Sequence, residues 1–321
     1  MTTRFLITGV QGFIGAHLAR AAILEGYEVF GVDMYEVQRD SLAALGLDLG
    51  RRLYRAPVQS EDFVVAFRAV KPDFVVHLAA EAIVEHSELV PTHAFETNIM
   101  GTVRVLELCR EQSVPCIIAS SDKAYGEGKI PFVETDPLRP RYPYDTSKAC
   151  EDLVALGYFR TYGMPIVVTR GVNTYGPADL NFTRLVPHTC RAAMHGDRPR
   201  NHRAMWTVRR EWIFIDDVIA AYLMLAKKLL DMGRDFAKQI EGVVNIGTGQ
   251  QSSPSAIVPH ILRLAGRTDL QPILEDVPFH ELLDEAVDST RIRRLGWKPA
   301  WDLDSGLART VEWYRTYLKG G

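Results

Sequence analysis

The segment Tyr144-Asp145-Thr146-Ser147-Lys148 sets a phenol and an ammonium four residues apart, just after a proline-rich stretch at residues 137–143. On a helix, residues four apart share a face, so both side chains can address one ligand. A cation near a phenol lowers its pKa and makes it a usable proton acceptor or donor. The same spacing is common on surface helices, so its meaning depends on what surrounds it. Near the N-terminus, Gly9-Val10-Gln11-Gly12-Phe13-Ile14-Gly15 spells Gly-x-x-Gly-x-x-Gly between an apolar run and a helical pattern. Glycines at such a turn let backbone amides approach a pyrophosphate at a helix N-terminus. Asp33 follows about twenty residues later, where a dinucleotide-binding fold carries an acid for the adenosine ribose. A carboxylate there accepts hydrogen bonds from ribose hydroxyls and repels a 2′-phosphate, which points to NAD over NADP.

The elements that must position these groups alternate along the chain. Short Val- and Ile-rich runs at 5–8, 28–33, 73–78, 115–120 and 166–170 read as strands, with helical patterns between them such as 14–24 and 94–111. Continuous apolar strands separated by helices predict a parallel sheet covered on both faces. After Arg170 the rhythm breaks into Pro-, Asn- and His-bearing loops over 176–210, then a strand-like 211–215, a helix at 217–230 and a short strand at 243–246. The predicted fold is α/β: a Rossmann-type doubly wound parallel sheet with a smaller mixed α/β substrate-binding subdomain. Residues 1–170 with 211–245 would form the NAD-binding part, and 171–210 with 246–321 the other.

Composition narrows the function classes. With 321 residues, 24% charged and a formal net charge of -3, the chain has the make-up of a globular protein and no basic field for nucleic acid. Cys109, Cys116, Cys150 and Cys190 show no paired spacing, which argues against a zinc site or a disulfide framework and for reduced thiols. No stretch approaches a bilayer span and the start does not read as a signal peptide, so a cytoplasmic location without membrane attachment is expected.

The ordered set of motifs resembles the extended short-chain dehydrogenase/reductase family of sugar epimerases, dehydratases and decarboxylases. It comprises the glycine turn, His77-Leu78-Ala79-Ala80, Asn98, Ser120-Ser121, Tyr144-x-x-x-Lys148, Arg170, Asn173-Thr174-Tyr175-Gly176-Pro177 and Arg210, and spans nearly the whole chain. The resemblance implies bound NAD, contacted by Gly9, Gly12, Phe13, Ile14, Gly15, Asp33, Leu78, Ala79, Ala80, Asn98, Tyr144 and Lys148. It also implies Tyr144 as acid/base at a sugar hydroxyl, Ser121 on the same oxygen, and Asn173 and Arg210 at a nucleotide diphosphate. Arg184 is a further candidate, since guanidinium matches phosphate oxygens in a fork. One departure stands out: an acid that commonly contacts adenine has no counterpart in Ala56-Pro57-Val58-Gln59. A homodimer is the family expectation.

Within that family, Ser121-Asp122-Lys123-Ala124-Tyr125-Gly126 resembles the sugar 4,6-dehydratases, which carry an acid/base pair at this place. The Asp-Lys version resembles the CDP-glucose 4,6-dehydratases and also the inverting UDP-N-acetylglucosamine 4,6-dehydratases, and the C-terminal Leu295-Gly296-Trp297-Lys298-Pro299 is more like the CDP-glucose group. The implied roles are Asp122 as acid at C6 and Lys123 as base at C5; a lysine serves so only where its surroundings favour the neutral amine. The alternative enzyme is a nucleotide-sugar epimerase working through a 4-keto intermediate. A silent NAD-binding scaffold is the alternative from another class, since a fold alone does not prove activity.

Overall fold

Phe5 and Ile7 enter one hydrophobic core and Leu6 between them enters another, which is how a strand behaves when both faces of its sheet are covered. The computed structural model describes residues 2–34, 39–276 and 284–319. Its strands are β1 Arg4–Thr8, β2 Glu28–Asp33, β3 Leu53–Arg55, β4 Phe74–His77, β5 Cys116–Ser121, β6 Ile166–Gly171, β7 Asn173–Tyr175, β8 Arg200–His202, β9 Arg210–Phe214, β10 Val243–Ile246, β11 Gln251–Ser252 and β12 Ile273–Glu275. Seven of them form the central sheet in the order β10-β6-β5-β4-β1-β2-β3, every pair parallel. The order reverses between β1 and β4, and open α/β sheets bind ligands at the carboxyl ends of strands beside such a switch. Thr8, His77 and Ser121 end the strands there.

Helix ends follow local chemistry. Ser60 caps the helix Glu61–Val70 by accepting from the Phe63 amide, and Asp302 caps Leu303–Tyr317 by accepting from the Ser305 amide. The helix Pro143–Tyr162 starts on a proline, whose absent N–H costs nothing in a first turn, and stops at Gly163 with φ 65°. The expected helix at 94–111 is not uniform. Residues Phe95–Met100 are wound as a π-helix between the short helix Pro91–Ala94 and the longer Gly101–Gln112. Asn98 lies in the widened turn, whose side chain reaches out of the helix for Glu81 and Ser147.

The smaller part is built on a three-stranded sheet, β11-β9-β7, and the pair β12-β8. Although 211–215 was grouped by sequence with the NAD-binding part, β9 pairs with β7 and β11, while the helix Ile215–Met232 that follows it packs on the large sheet. Two carboxylates stitch the parts together. Asp217 accepts from the amides of Ala300 and Trp301 at 2.7 and 3.2 Å, and its own carbonyl accepts from the Trp297 indole at 3.0 Å. Glu211 accepts from the amides of Gly249 and Val287 at 2.6 and 3.0 Å. Each bond satisfies a buried amide while fixing a chain segment more than thirty residues away in sequence. The four cysteines are free thiols, and no helix among the described residues is long and apolar enough to cross a membrane.

Candidate functional site

The glycine turn is a cradle with no room for side chains. A Cβ on Gly15 would stand 2.2 Å from the Gly9 carbonyl oxygen, and one on Gly9, whose φ is 69°, would stand 2.8 Å from the Ala79 amide. Gly12 then opens the helix Phe13–Leu24 with extended backbone and no side-chain cap, leaving the helix's first amides for a ligand. Asp33 braces this turn: its carboxylate accepts from the Gln11 amide at 2.8 Å and the Met34 amide at 2.9 Å. Burial raises the Asp33 pKa despite those bonds. Arg55, opposite Asp33 in the β2–β3 register, bonds the Gln11 side chain and the Met34 carbonyl. Sequence reasoning missed Arg55 because it is a lone cation at the end of a three-residue strand.

A second turn, Leu78-Ala79-Ala80, faces the first. The Leu78 and Ala79 amides donate to the Thr8 hydroxyl at 3.2 and 3.3 Å, and the same hydroxyl is bonded to His77 Nδ1 at 2.7 Å. His77 Nε2 reaches the Thr102 hydroxyl at 3.1 Å. Burial, with the Lys148 charge behind it, drives the His77 pKa down to about 3, so the ring is a neutral brace. Asn98 acts at one remove: its amide holds the Glu81 main chain through both its atoms and the Ser147 hydroxyl at 2.8 Å.

The residues proposed for proton transfer converge at the end of β5. Helix Pro143–Tyr162 packs on the 3₁₀ turn Asp122–Tyr125, which brings Tyr144 and Lys148 beside Ser121, Asp122 and Lys123. Ser121 donates to Asp122 Oδ1 at 3.0 Å and accepts from the Lys123 amide at 3.2 Å. Asp122 and Lys123 are buried, so they are no ordinary solvent-facing loop pair. Burial, and then the Glu285 carboxylate, push the Asp122 pKa well above the carboxylate range against the pull of Lys123. Asp122 Oδ2 and Glu285 Oε1 are both buried and lack a hydrogen-bond partner, the pattern of a site completed by a ligand. The expected depression of the Tyr144 phenol is not the net result. Burial raises its pKa, although Lys148, Lys123 and Arg184 all pull it down.

The remaining candidates are tied to protein groups. Asn173 donates to the Glu211 carbonyl at 3.3 Å, and Arg184, half-exposed, bonds Asp179 at 3.2 Å. Arg210 is buried and ion-paired with Glu285, an acid that sequence reasoning passed over because it lies 75 residues from its partner. Arg170 makes a two-pronged pair with Asp152 at 2.7 and 2.9 Å and stacks over the Tyr125 ring, so it holds β6 to the helix bearing Tyr144.

The cradle leads to a first prediction. Gly15→Ala should weaken NAD binding by about 100-fold, near 2.7 kcal/mol, because the clash is with backbone. Gly157→Ala, with nothing within 4 Å of its Cβ, is the control and should bind NAD as the parent does. Isothermal calorimetry of both variants checks this, and a Gly15→Ala affinity within threefold of the control would show that the turn has slack.

Comparison with known proteins agrees with this geometry. A dTDP-glucose 4,6-dehydratase of Streptomyces griseus is 35% identical over 329 residues, covering 99% of this chain and 95% of that protein. The dTDP-glucose 4,6-dehydratase of Bacillus anthracis str. Ames, solved in complex with NAD, superposes with a TM-score of 0.83 at 26% identity, covering 98% of this chain and 97% of that one. The UDP-glucose 4-epimerase of Thermotoga maritima, solved with UDP-glucose, gives a TM-score of 0.86 at 27% identity, covering 98% and 100%. The glycine cradle and the amides left open at Gly12 fit NAD as the cofactor. A family model matches residues 5–247, and on that match the chain belongs to the NAD dependent epimerase/dehydratase family.

Proposed function

We propose that the chain is an NAD-dependent nucleotide-sugar 4,6-dehydratase, a lyase. The observation that carries this reading is the buried Asp122–Lys123 pair beside Tyr144, because a simple epimerase needs only the tyrosine. Bound NAD would supply the hydride acceptor for C4 and the hydride donor for C6. The chain's residues move the protons. Tyr144 takes the proton of the C4 hydroxyl, with Ser121 bonding the same oxygen and Lys148 holding the nicotinamide ribose. The C4 ketone acidifies the C5 proton, which Lys123 removes as the neutral amine and gives back to C5 when hydride reaches C6. Asp122, kept protonated by its burial and by Glu285, gives its proton to the C6 hydroxyl, which leaves as water. Asn173, Arg184 and Arg210 are assigned to the nucleotide diphosphate, and residues 1–170 with 211–245, apart from the strand β9, to NAD.

CDP-glucose is the substrate proposed from the Asp122-Lys123 pair and the C-terminal Leu295-Gly296-Trp297 segment, while the relatives' names favour dTDP-glucose. Incubating the protein and NAD with CDP-, UDP-, dTDP- and GDP-hexoses, and reading product mass, tests reaction and substrate together. Loss of one water from a single nucleotide sugar supports the reading and names the base. A new stereoisomer of unchanged mass would make the enzyme an epimerase. We also propose a homodimer: Leu153 exposes 57% of its surface on the Pro143–Tyr162 helix, and Leu89 and Met100 expose 81% and 56% on helices that pack against it. A cytoplasmic location is part of the same reading.

A further inference from the structure

Lys148 carries a partner that the Tyr-x-x-x-Lys spacing does not call for. Its ammonium donates to the Ala119 carbonyl and to the Glu151 carboxylate, both at 2.5 Å, and the two side chains are 5% and 1% exposed. Two of its three N–H groups are thus committed to protein, and one remains for a ligand. Glu151 sits one turn beyond Lys148 on the helix that bears Tyr144, and the roles assigned above leave it unused.

We propose that Glu151 is a positioning residue of the Tyr144–Lys148 pair: its buried carboxylate fixes the Lys148 ammonium against β5 and offsets the charge which that ammonium imposes on the Tyr144 phenol. This rests on the assignment of Tyr144 and Lys148 made above. The charged groups around Glu151 are accounted for. Lys148 and Asp152 flank it on its own helix, and Asp152 is itself paired with Arg170 of β6. From the helix Ile215–Met232, Tyr222 faces it, with its hydroxyl bonded to Thr169 at 2.8 Å. From β4, His77 feels Lys148 and stays neutral. Burial lifts the Glu151 pKa to about 7, against the pull of Lys148. Ionised Glu151 raises the Tyr144 pKa where Lys148 lowers it, so the two act in opposition on the phenol. As pH falls through about 7, Glu151 takes up a proton, the ammonium stands uncompensated, and the phenol becomes easier to ionise.

The test compares E151Q with E151A. E151Q keeps an oxygen acceptor for the Lys148 ammonium and removes the charge, so NAD affinity should stay within about twofold of the parent. The rise of kcat with pH that tracks Tyr144 ionisation should begin about one unit lower, with KM for the nucleotide sugar unchanged. E151A also removes the acceptor, and NAD affinity should fall about tenfold, or 1.4 kcal/mol. A purely structural Glu151 would lower the Tm without moving the pH profile. Two readouts need no turnover: the NAD affinities, and the infrared carboxyl band of the apoprotein, which should titrate near neutral pH and vanish in E151Q. An E151Q profile that superimposes on the parent overturns the charge role, and an E151A that binds NAD like the parent overturns the positioning role. If Y144F keeps full turnover while the infrared band and the E151A affinity behave as stated, the functional reading has failed and the Glu151–Lys148 pair stands.

Discussion

Replacing Tyr144 with phenylalanine should lower kcat on the nucleotide sugar by about 1,000-fold while leaving NAD affinity within about threefold of the parent. The ring packs where burial raises its pKa, so the phenol is an acid that gives up its proton only with help. That help is local and electrostatic, from Lys148 first and also from Arg184. Removing the hydroxyl leaves this cationic surrounding with nothing to ionise. Lys148→Met should differ in kind, costing both kcat and NAD affinity, because the ammonium is proposed to serve the ribose as well as the phenol. Steady-state rates by product mass and NAD affinity by calorimetry separate the two variants. A Y144F enzyme with more than about a tenth of parental kcat would mean that another group takes the C4 proton.

Much of this arrangement is legible in the chain because it rests on local rules. The runs at 28–33 and 243–246 match β2 and β10 to the residue, because their Val, Phe and Ile residues mark the strands even though β2 is bounded by Glu28 and Asp33 and β10 carries Asn245. The glycine turn is readable too: only glycine tolerates the 2.2 Å approach at Gly15. What stays hidden is chemistry made by long-range pairing. Glu285 meets Arg210 across 75 residues, and nothing in either neighbourhood announces the other. Glu151 lies three residues from Lys148, yet its importance depends on burial, which a helix that also carries Asp145 and Asp152 does not reveal. The three-residue β3 falls below the length at which periodicity can speak. The π-helical winding at Asn98 is set by contacts with Glu81 and Ser147 that are likewise distant in sequence.

On the proposed assignment of Arg210 to the diphosphate, its pairing with Glu285 bears on how that group is received. A buried guanidinium already matched by a carboxylate costs less to keep folded than a bare one, since an unpaired buried charge is strongly destabilising. A diphosphate entering there adds acceptors to a cation that is already half-neutralised, and it places more negative charge near Asp122. Both Glu285 and the incoming phosphates then act in one direction on Asp122, keeping it protonated. Substrate binding would therefore hold Asp122 in the protonated form that the later step requires.

Asp122→Asn should stop loss of water by at least about 100-fold while sparing the earlier proton transfers. The amide keeps the size and the bond from the Ser121 hydroxyl but has no proton to give to a leaving hydroxyl. The reaction run in D₂O makes the split visible. With Tyr144 and Lys123 intact, the C4 ketone forms, the C5 proton leaves and deuterium replaces it, so recovered substrate gains one mass unit without losing water. Lys123→Met should abolish that exchange, and Y144F should abolish it too, because no ketone forms to acidify C5. The parent's dehydration should fall as pH rises through the elevated Asp122 pKa, since only the protonated carboxyl can act. In Glu285→Gln that fall should come at lower pH, as the neighbouring negative charge that raises the Asp122 pKa is gone. If D122N dehydrates at the parental rate, the proton at C6 comes from elsewhere, and the buried Asp122–Lys123 pair loses its claim to set this chain apart from the epimerases.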